Sequence, residues 1–161
     1  MPPVTRYSAY LGDRDPLETM RVNVGRIRSL VDGWSAEQFE RTYAAGKWTA
    51  LQILAHLAHT EMALGTRARM ALSTPDYAAQ SFDQDDWMKR ETRVSGREAL
   101  AAFVAMSHMN AALFDGLSQA ERQITMSHPE FGAISVDWIL HLLPGHQLHH
   151  LEQLQAIART S

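Results

Sequence analysis

The chain contains no cysteine. That excludes disulfides, a thiolate nucleophile and thiolate metal sites, so any transition ion must be held by histidine and carboxylate. There is no basic surplus either: 15 Lys and Arg stand against 18 Asp and Glu, for a net charge of −3. Phosphate neutralisation dominates nucleic-acid affinity, so this balance predicts no nucleic-acid partner. No run of 18 apolar residues is present to span a bilayer, and "MPPVTRYSAYLGDRDPLETM" lacks the apolar stretch of a signal peptide, so a cytoplasmic protein without membrane partners is expected. Long alternating β-branched runs are also missing, which argues against a large sheet.

What the sequence does have is hydrophobic content of 45% over 161 residues, enough for one domain with a substantial core, here read as residues 1–161. Apolar residues recur at three- and four-residue steps almost throughout, which predicts an all-α fold. A first helix is expected over Pro16–Val31, with Leu17, Met20, Val24, Ile27 and Leu30 inward, Asp13 or Asp15 near its start and Gly33 as its stop. "SAEQFER" at 35–41 reads as a short capped turn, and Gly46 as a break. A second helix runs from near Thr49 to about Leu72, burying Ile53, Leu54, Leu57, Leu64 and Ala68 until Pro75 ends it. Residues 77–94 are less regular, with a short helix expected around Asp85–Arg93. "SGRE" at 95–98 is a capping box that opens a third helix, whose apolar face is Leu100, Phe103, Val104, Met106, Leu113 and Leu117. "SHPEFGAIS" at 127–135 reads as a loop, after which Ser135 caps a last helix ending near Arg159.

Eight histidines remain to be explained. At about 100° per residue, Ile139, Leu142, Leu143, His146, His150, Gln153 and Ile157 share one side of the last helix. His146 and His150 therefore point at the core, one turn apart, where their ring nitrogens can converge on one ion. H-x-x-x-H alone also describes a polar helix edge; placement in an apolar stripe is what favours the metal, since buried imidazoles need partners. His149 lies beside this face and His141 well away from it, as solvated or supporting groups. A third ligand must come from another helix, and "WTALQILAHLAHTEM" at 48–62 offers His56 at the stripe's border and His59 farther out. Glu61 falls within that stripe, as a supporting carboxylate, a general base or a helix-edge residue. His108 and His128 are singletons. Pro144 removes a backbone donor two residues before His146 and either kinks the helix or marks a later start.

These residues, W-T-x-x-Q-I-L-x-H-L-x-x-x-E from Trp48 to Glu61 and "HPEFGAISVDWILHLLPGHQLHHLEQL" from 128 to 154, resemble the DinB/YfiT-like superfamily of metal-binding four-helix bundles. The resemblance runs over nearly the whole chain. It implies His56, His146 and His150 as metal ligands, an up-down-down-up bundle with a long crossover, and a homodimer; Val22 lies off the first helix's main stripe for such an association. It also implies chemistry like that of relatives that are thiol transferases using bacillithiol or mycothiol, or mycothiol-dependent maleylpyruvate isomerase.

The function expected from the sequence is thus a metal-dependent enzyme of thiol-transferase type. Its ion would be Zn, Ni or Fe, and its nucleophile an exogenous low-molecular-weight thiol or activated water acting on a small-molecule substrate. The alternative is a non-catalytic metal-binding or stress-response bundle. No catalytic residue is assigned; Glu61, Asp85, Asp86 and Trp87 are candidates for proton transfer or pocket lining. Ligation by neutral imidazole predicts that metal affinity falls as pH drops through the histidine range.

Overall fold

The computed structural model describes residues 1–160. The elements are α1 (Ser8–Leu11), α2 (Pro16–Val31), α3 (Ala36–Phe39), α4 (Ala50–Ser73), α5 (Gln84–Arg90), α6 (Gly96–Asp115), α7 (Gln119–Arg122), β1 (Thr125–His128), β2 (Gly132–Ser135) and α8 (Val136–Ala158). The four long helices α2, α4, α6 and α8 form the bundle.

Their starts are chemically marked. Asp15 accepts from the backbone N–H of Glu18 ahead of Pro16, and Thr49 with Gln52 and Ser95 with Glu98 form reciprocal capping boxes. Ser135 caps α8 by accepting from Trp138 N–H. Each cap satisfies backbone donors that the helix itself cannot, at about 1 kcal/mol apiece.

Two hydrophobic clusters fix the helix directions. One joins Val24, Ile27 and Val31 to Ile53, Leu54, Ala99, Phe103, Leu154 and Ile157. The other joins Leu17 and Met20 to Leu64, Ala68, Ala111, Phe114, Ile139 and Leu143. The start of α4 therefore meets the start of α6 and the ends of α2 and α8, so α4 and α6 run parallel to each other and opposite to α2 and α8. This is the up-down-down-up order, and residues 74–95 must carry the chain back along the bundle before α6 can begin.

Several expectations are corrected. Residues 127–135 are not a loop: β1 and β2 pair antiparallel, with Thr125 opposite Ser135 and His128 opposite Gly132. Gly132 sits at φ 69°, where a residue without Cβ turns the hairpin cheaply. The crossover joins this hairpin, since Ala79 N–H donates to Ser127 O at 2.8 Å and Ser127 N–H to Tyr77 O at 3.1 Å. The short helices α1 and α7 were not expected.

The buried stripe of α6 is also not the most apolar one. Ala99, Phe103, Ser107, Asn110, Ala111 and Phe114 face inward, whereas Leu100, Val104 and Leu113 are only partly covered. The inward polar groups have a use: Asn110 Nδ2 donates to Glu61 Oε2 at 2.8 Å, and Gln147 Nε2 donates to Glu61 Oε1 at 2.7 Å and to Ser107 Oγ at 3.0 Å. Helix α8 continues through Pro144, whose carbonyl accepts from Asn23 Nδ2 at 3.1 Å.

Candidate metal centre

His56 on α4 and His146 and His150 on α8 meet in the bundle interior, 5%, 3% and 5% exposed. His146 Nε2 lies 2.9 Å from His56 Nε2 and 3.0 Å from His150 Nε2. One ligand atom from each of the three rings falls within 4.8 Å of the others.

Three neutral imidazoles have at most one proton to share among their three facing nitrogens in this arrangement. His150 Nδ1 lies 2.7 Å from Gln153 Oε1, an acceptor, which puts the proton on Nδ1 and leaves a lone pair on Nε2. His146 Nε2 must then carry a proton to bond His150, and His56 Nε2 can only share that one proton, which leaves a buried His56 Nδ1–H without an acceptor, or else set its own N–H against it. If His146 Nε2 instead accepts from His56, it sets lone pair against lone pair toward His150. A cation among the three nitrogens removes the conflict, because each ring then offers a lone pair to it. The residues fit a divalent ion.

Burial acts in the same direction. Desolvation, reinforced by neighbouring imidazoles, pulls His56 down to about 3 and His146 well below the usual histidine value. Desolvation also lowers His150, to about 4, against the opposing hydrogen bond that it donates to Gln153. The rings are held neutral, as ligation requires.

The other histidines divide differently from the sequence reading. His59 is not farther out: it is 5% exposed, with Nε2 2.8 Å from Glu91 Oε1 and its ring edge-on to Trp87 at 5.3 Å. The crossover covers it, a tertiary contact that helical periodicity cannot show. His149 Nδ1 lies 2.8 Å from Tyr10 Oη, His141 Nδ1 2.9 Å from Asp137 O, and His108 is exposed. His128 is buried, with Nδ1 accepting from Glu130 N–H at 3.1 Å and Nε2 without a partner.

Glu61 is neither at the helix edge nor beside the ring nitrogens of the triad. It sits in the polar cluster with Asn110, Gln147 and Ser107, where desolvation raises it to about 7 against the hydrogen bonds that lower it. Among the crossover candidates, Asp85 lines a cavity at the triad, Asp86 pairs with Lys89 at 2.9 Å on the surface, and Trp87 packs on His59.

Two cavities open at the histidines. One, of about 130 Å³, reaches His56 and His146 and extends toward Arg67 and His128. The other, of about 310 Å³, reaches His56 and His150 and is walled by Tyr43, Trp48 and Asp85. Tyr7, His56 and Gln84 belong to both. Tyr7, invisible to the sequence reading, packs edge-on against the His146 ring at 5.1 Å. It is brought there by α1, which can lie close to α8 because residue 145 is glycine: a Cβ there would stand 2.6 Å from Tyr7 O.

A helical bundle with three converging neutral histidines, open to cavities on two sides, is a metal-site bundle in its architecture and donor set. The chain belongs to the DinB superfamily, whose sequence profile matches residues 20–154. It is 24% identical over 134 residues to a candidate metal-dependent hydrolase of Oceanobacillus iheyensis, covering 83% of this chain and 78% of that one. It is likewise 26% identical over 133 residues to one from Bacillus licheniformis, covering 81% and 76%. The solved structure of YfiT from Bacillus subtilis, described as an unusual four-helix bundle, superposes with a TM-score of 0.81 over 98% of this chain and 90% of that one, at 18% identity. That likeness concerns the fold. No helix among the described residues is long and apolar enough to cross a membrane.

Proposed function

We propose that the protein is a metal-dependent enzyme in which His56, His146 and His150 hold one divalent ion and an exogenous thiol is transferred to a small electrophile. The observation that carries the reading is the pair of cavities flanking the triad with Tyr7, His56 and Gln84 in common. A two-substrate reaction needs two approaches to one centre; a structural ion needs none. Bound there, the ion would supply Lewis acidity, which makes a thiol or a water nucleophilic near neutral pH.

The chain's own residues do the rest. Gln153 orients His150, and Tyr7 and Trp48 pack on the faces and edges of His146 and His56 at ring separations of 5.1 and 4.8 Å, limiting water at the rings. The absence of cysteine requires the thiol to come from outside. Among the described residues the carboxylates lining the two cavities, Asp85 and Glu130, are exposed, so no buried carboxylate stands ready as general base, and a thiol, more acidic than water, depends on one less.

Hydrolysis is the second reading, favoured by the names of the relatives in Oceanobacillus and Bacillus. Protein purified without a histidine tag is analysed for metal, then offered electrophiles with and without low-molecular-weight thiols. Metal-dependent consumption of the electrophile only when thiol is present supports transfer. Consumption without thiol supports hydrolysis, and a stoichiometric ion with no turnover in either arm overturns the catalytic reading.

A further inference from the structure

The smaller cavity carries two buried donor groups whose hydrogen-bonding capacity the fold uses only in part. Arg67 is on α4, on the face shared by His56, Thr60 and Leu64, and is 7% exposed. Its Nη2 donates to the carbonyl of Gln80. Among the described residues no carboxylate lies within ion-pair distance of it. A guanidinium presents five N–H donors in a planar fork, and a buried one without a counter-ion is costly.

His128 reaches the same cavity from β1. Its Nδ1 accepts from Glu130 N–H, so in the neutral ring the proton sits on Nε2, and that buried N–H has no acceptor. Stacking on Phe131, with centroids 4.8 Å apart, holds the ring in place. Two buried donors face this cavity, and among the described residues no carboxylate pairs with either, although the exposed Glu130 lies near enough to be felt by both. The remaining charged groups lining it are Arg6 and Glu130, both exposed, so the cavity's charge is one positive unit.

We infer that this cavity binds the carboxylate of a small monoanionic substrate, with Arg67 and His128 as its donors and the reactive end of the molecule toward His56 and His146. The inference rests on the reading of the triad as the reaction centre, and names a substrate class for it. Planar, forked recognition by arginine matches a carboxylate, and a single net positive charge matches a monoanion better than a phosphate dianion. A cavity of about 130 Å³ suits a short acid rather than an extended one.

The test compares 3-mercaptopropionate with its neutral isostere 3-mercaptopropionamide, on zinc-free and zinc-loaded protein, by NMR titration of the histidine ring signals. The carboxylate is expected to bind on the order of tenfold or more tighter than the amide and to shift the His128 ring, as charge-assisted hydrogen bonds require. That ratio should collapse in Arg67→Gln, survive in part in Arg67→Lys and shrink in His128→Phe. Because it is a ratio within each variant, a general loosening of the cavity cancels. Equal affinity for acid and amide in the wild type, or a preference that survives Arg67→Gln, overturns the inference. So does inorganic phosphate displacing the probe better than propionate does. Zinc that leaves the ring signals of His56, His146 and His150 unmoved sinks the metal reading, while the acid-to-amide ratio is still read on the zinc-free protein.

Discussion

Gln153 Oε1 accepts the Nδ1 proton of His150 across 2.7 Å, one turn along the same helix, and so decides which nitrogen of that ring faces the triad. The same amide donates through Nε2 toward Tyr43 Oη at 3.3 Å, which anchors it against rotation. Gln153→Ala is expected to keep the fold and weaken metal binding by roughly 10–100-fold, the usual cost of losing a ligand's orienting partner. Competition against a chelator of known affinity measures it; an unchanged constant would show that the ring holds its tautomer unaided.

Replacing His56, His146 or His150 by Ala should each remove stoichiometric metal, since two imidazoles hold a divalent ion poorly against water. His149→Ala and His59→Ala should retain it, because those rings are engaged with Tyr10 and Glu91. Elemental analysis of the five purified variants is the check. Metal lost from His149→Ala but kept in His146→Ala would mean the ion sits elsewhere.

The sequence placed much of this in view. Asp15, Thr49, Ser95 and Ser135 are helix starts that polar side chains announce locally, and His146 and His150 stand out because they interrupt an apolar stripe. What stayed hidden depends on contacts between distant segments. The crossover buries His59, the N-terminal turn brings Tyr7 to His146, and α6 turns Ser107 and Asn110 inward because Glu61 needs them. Hydrophobic periodicity ranks Leu100 and Leu113 above those two and so selects the neighbouring face. The hairpin of residues 125–135 is too short for alternation to reveal, and its Pro and Gly suggest a loop.

Burial of the triad shifts its pH response. With His56 and His150 pulled down to about 3 and 4, the folded metal-free protein keeps these rings neutral well below the ordinary histidine range. This corrects the fall through the histidine range expected for ordinary imidazoles: metal affinity of the folded protein should stay level as pH falls through about 6.5, the free imidazole value, and weaken only well below it. Stability behaves differently: between the folded and unfolded values the unfolded chain binds more protons, so metal-free stability falls as pH drops below about 6.5. Calorimetric titration and urea melts over the same pH series separate the two. A metal affinity that falls in step with a pKa near 6.5 would contradict the burial effect.

Glu61 has the opposite sign. Raised to about 7 in the fold, it holds a proton that the unfolded chain releases above its ordinary carboxyl range. Its contribution to stability is thus full at low pH and is lost as pH rises toward and through 7. Glu61→Gln should remove this slope, so the stability of the wild type relative to the variant declines from pH 5 to 8, by an amount on the order of 2–3 kcal/mol. Parallel urea melts of the two proteins test it; a constant difference would mean that Asn110 and Gln147 stabilise the charged carboxylate fully.

Gly145→Ala should act on the site through the N-terminal turn. Its new methyl would meet Tyr7 O, which is backbone and cannot simply rotate away. Residues 5–11 are expected to exchange amide hydrogens faster than in the wild type while α2, α4 and α6 keep their protection, and hydrogen-exchange mass spectrometry reads this directly. Unchanged exchange at the N-terminus would show that α8 yields instead.

Because α4 and α6 run parallel, the chain between them has to travel the length of the bundle, and its route passes over the histidines. The frame that carries the three rings is fixed by helix packing, whereas Phe82, Gln84 and Asp85, which wall the cavities, come from that returning segment. Ion capture therefore rests on the helices, while part of each cavity wall is written on a separate stretch of the polypeptide. Changes at Phe82, Gln84 and Asp85 would alter what the cavities admit without touching the residues that set the ring geometry, which makes these positions the place to redesign what the bundle accepts.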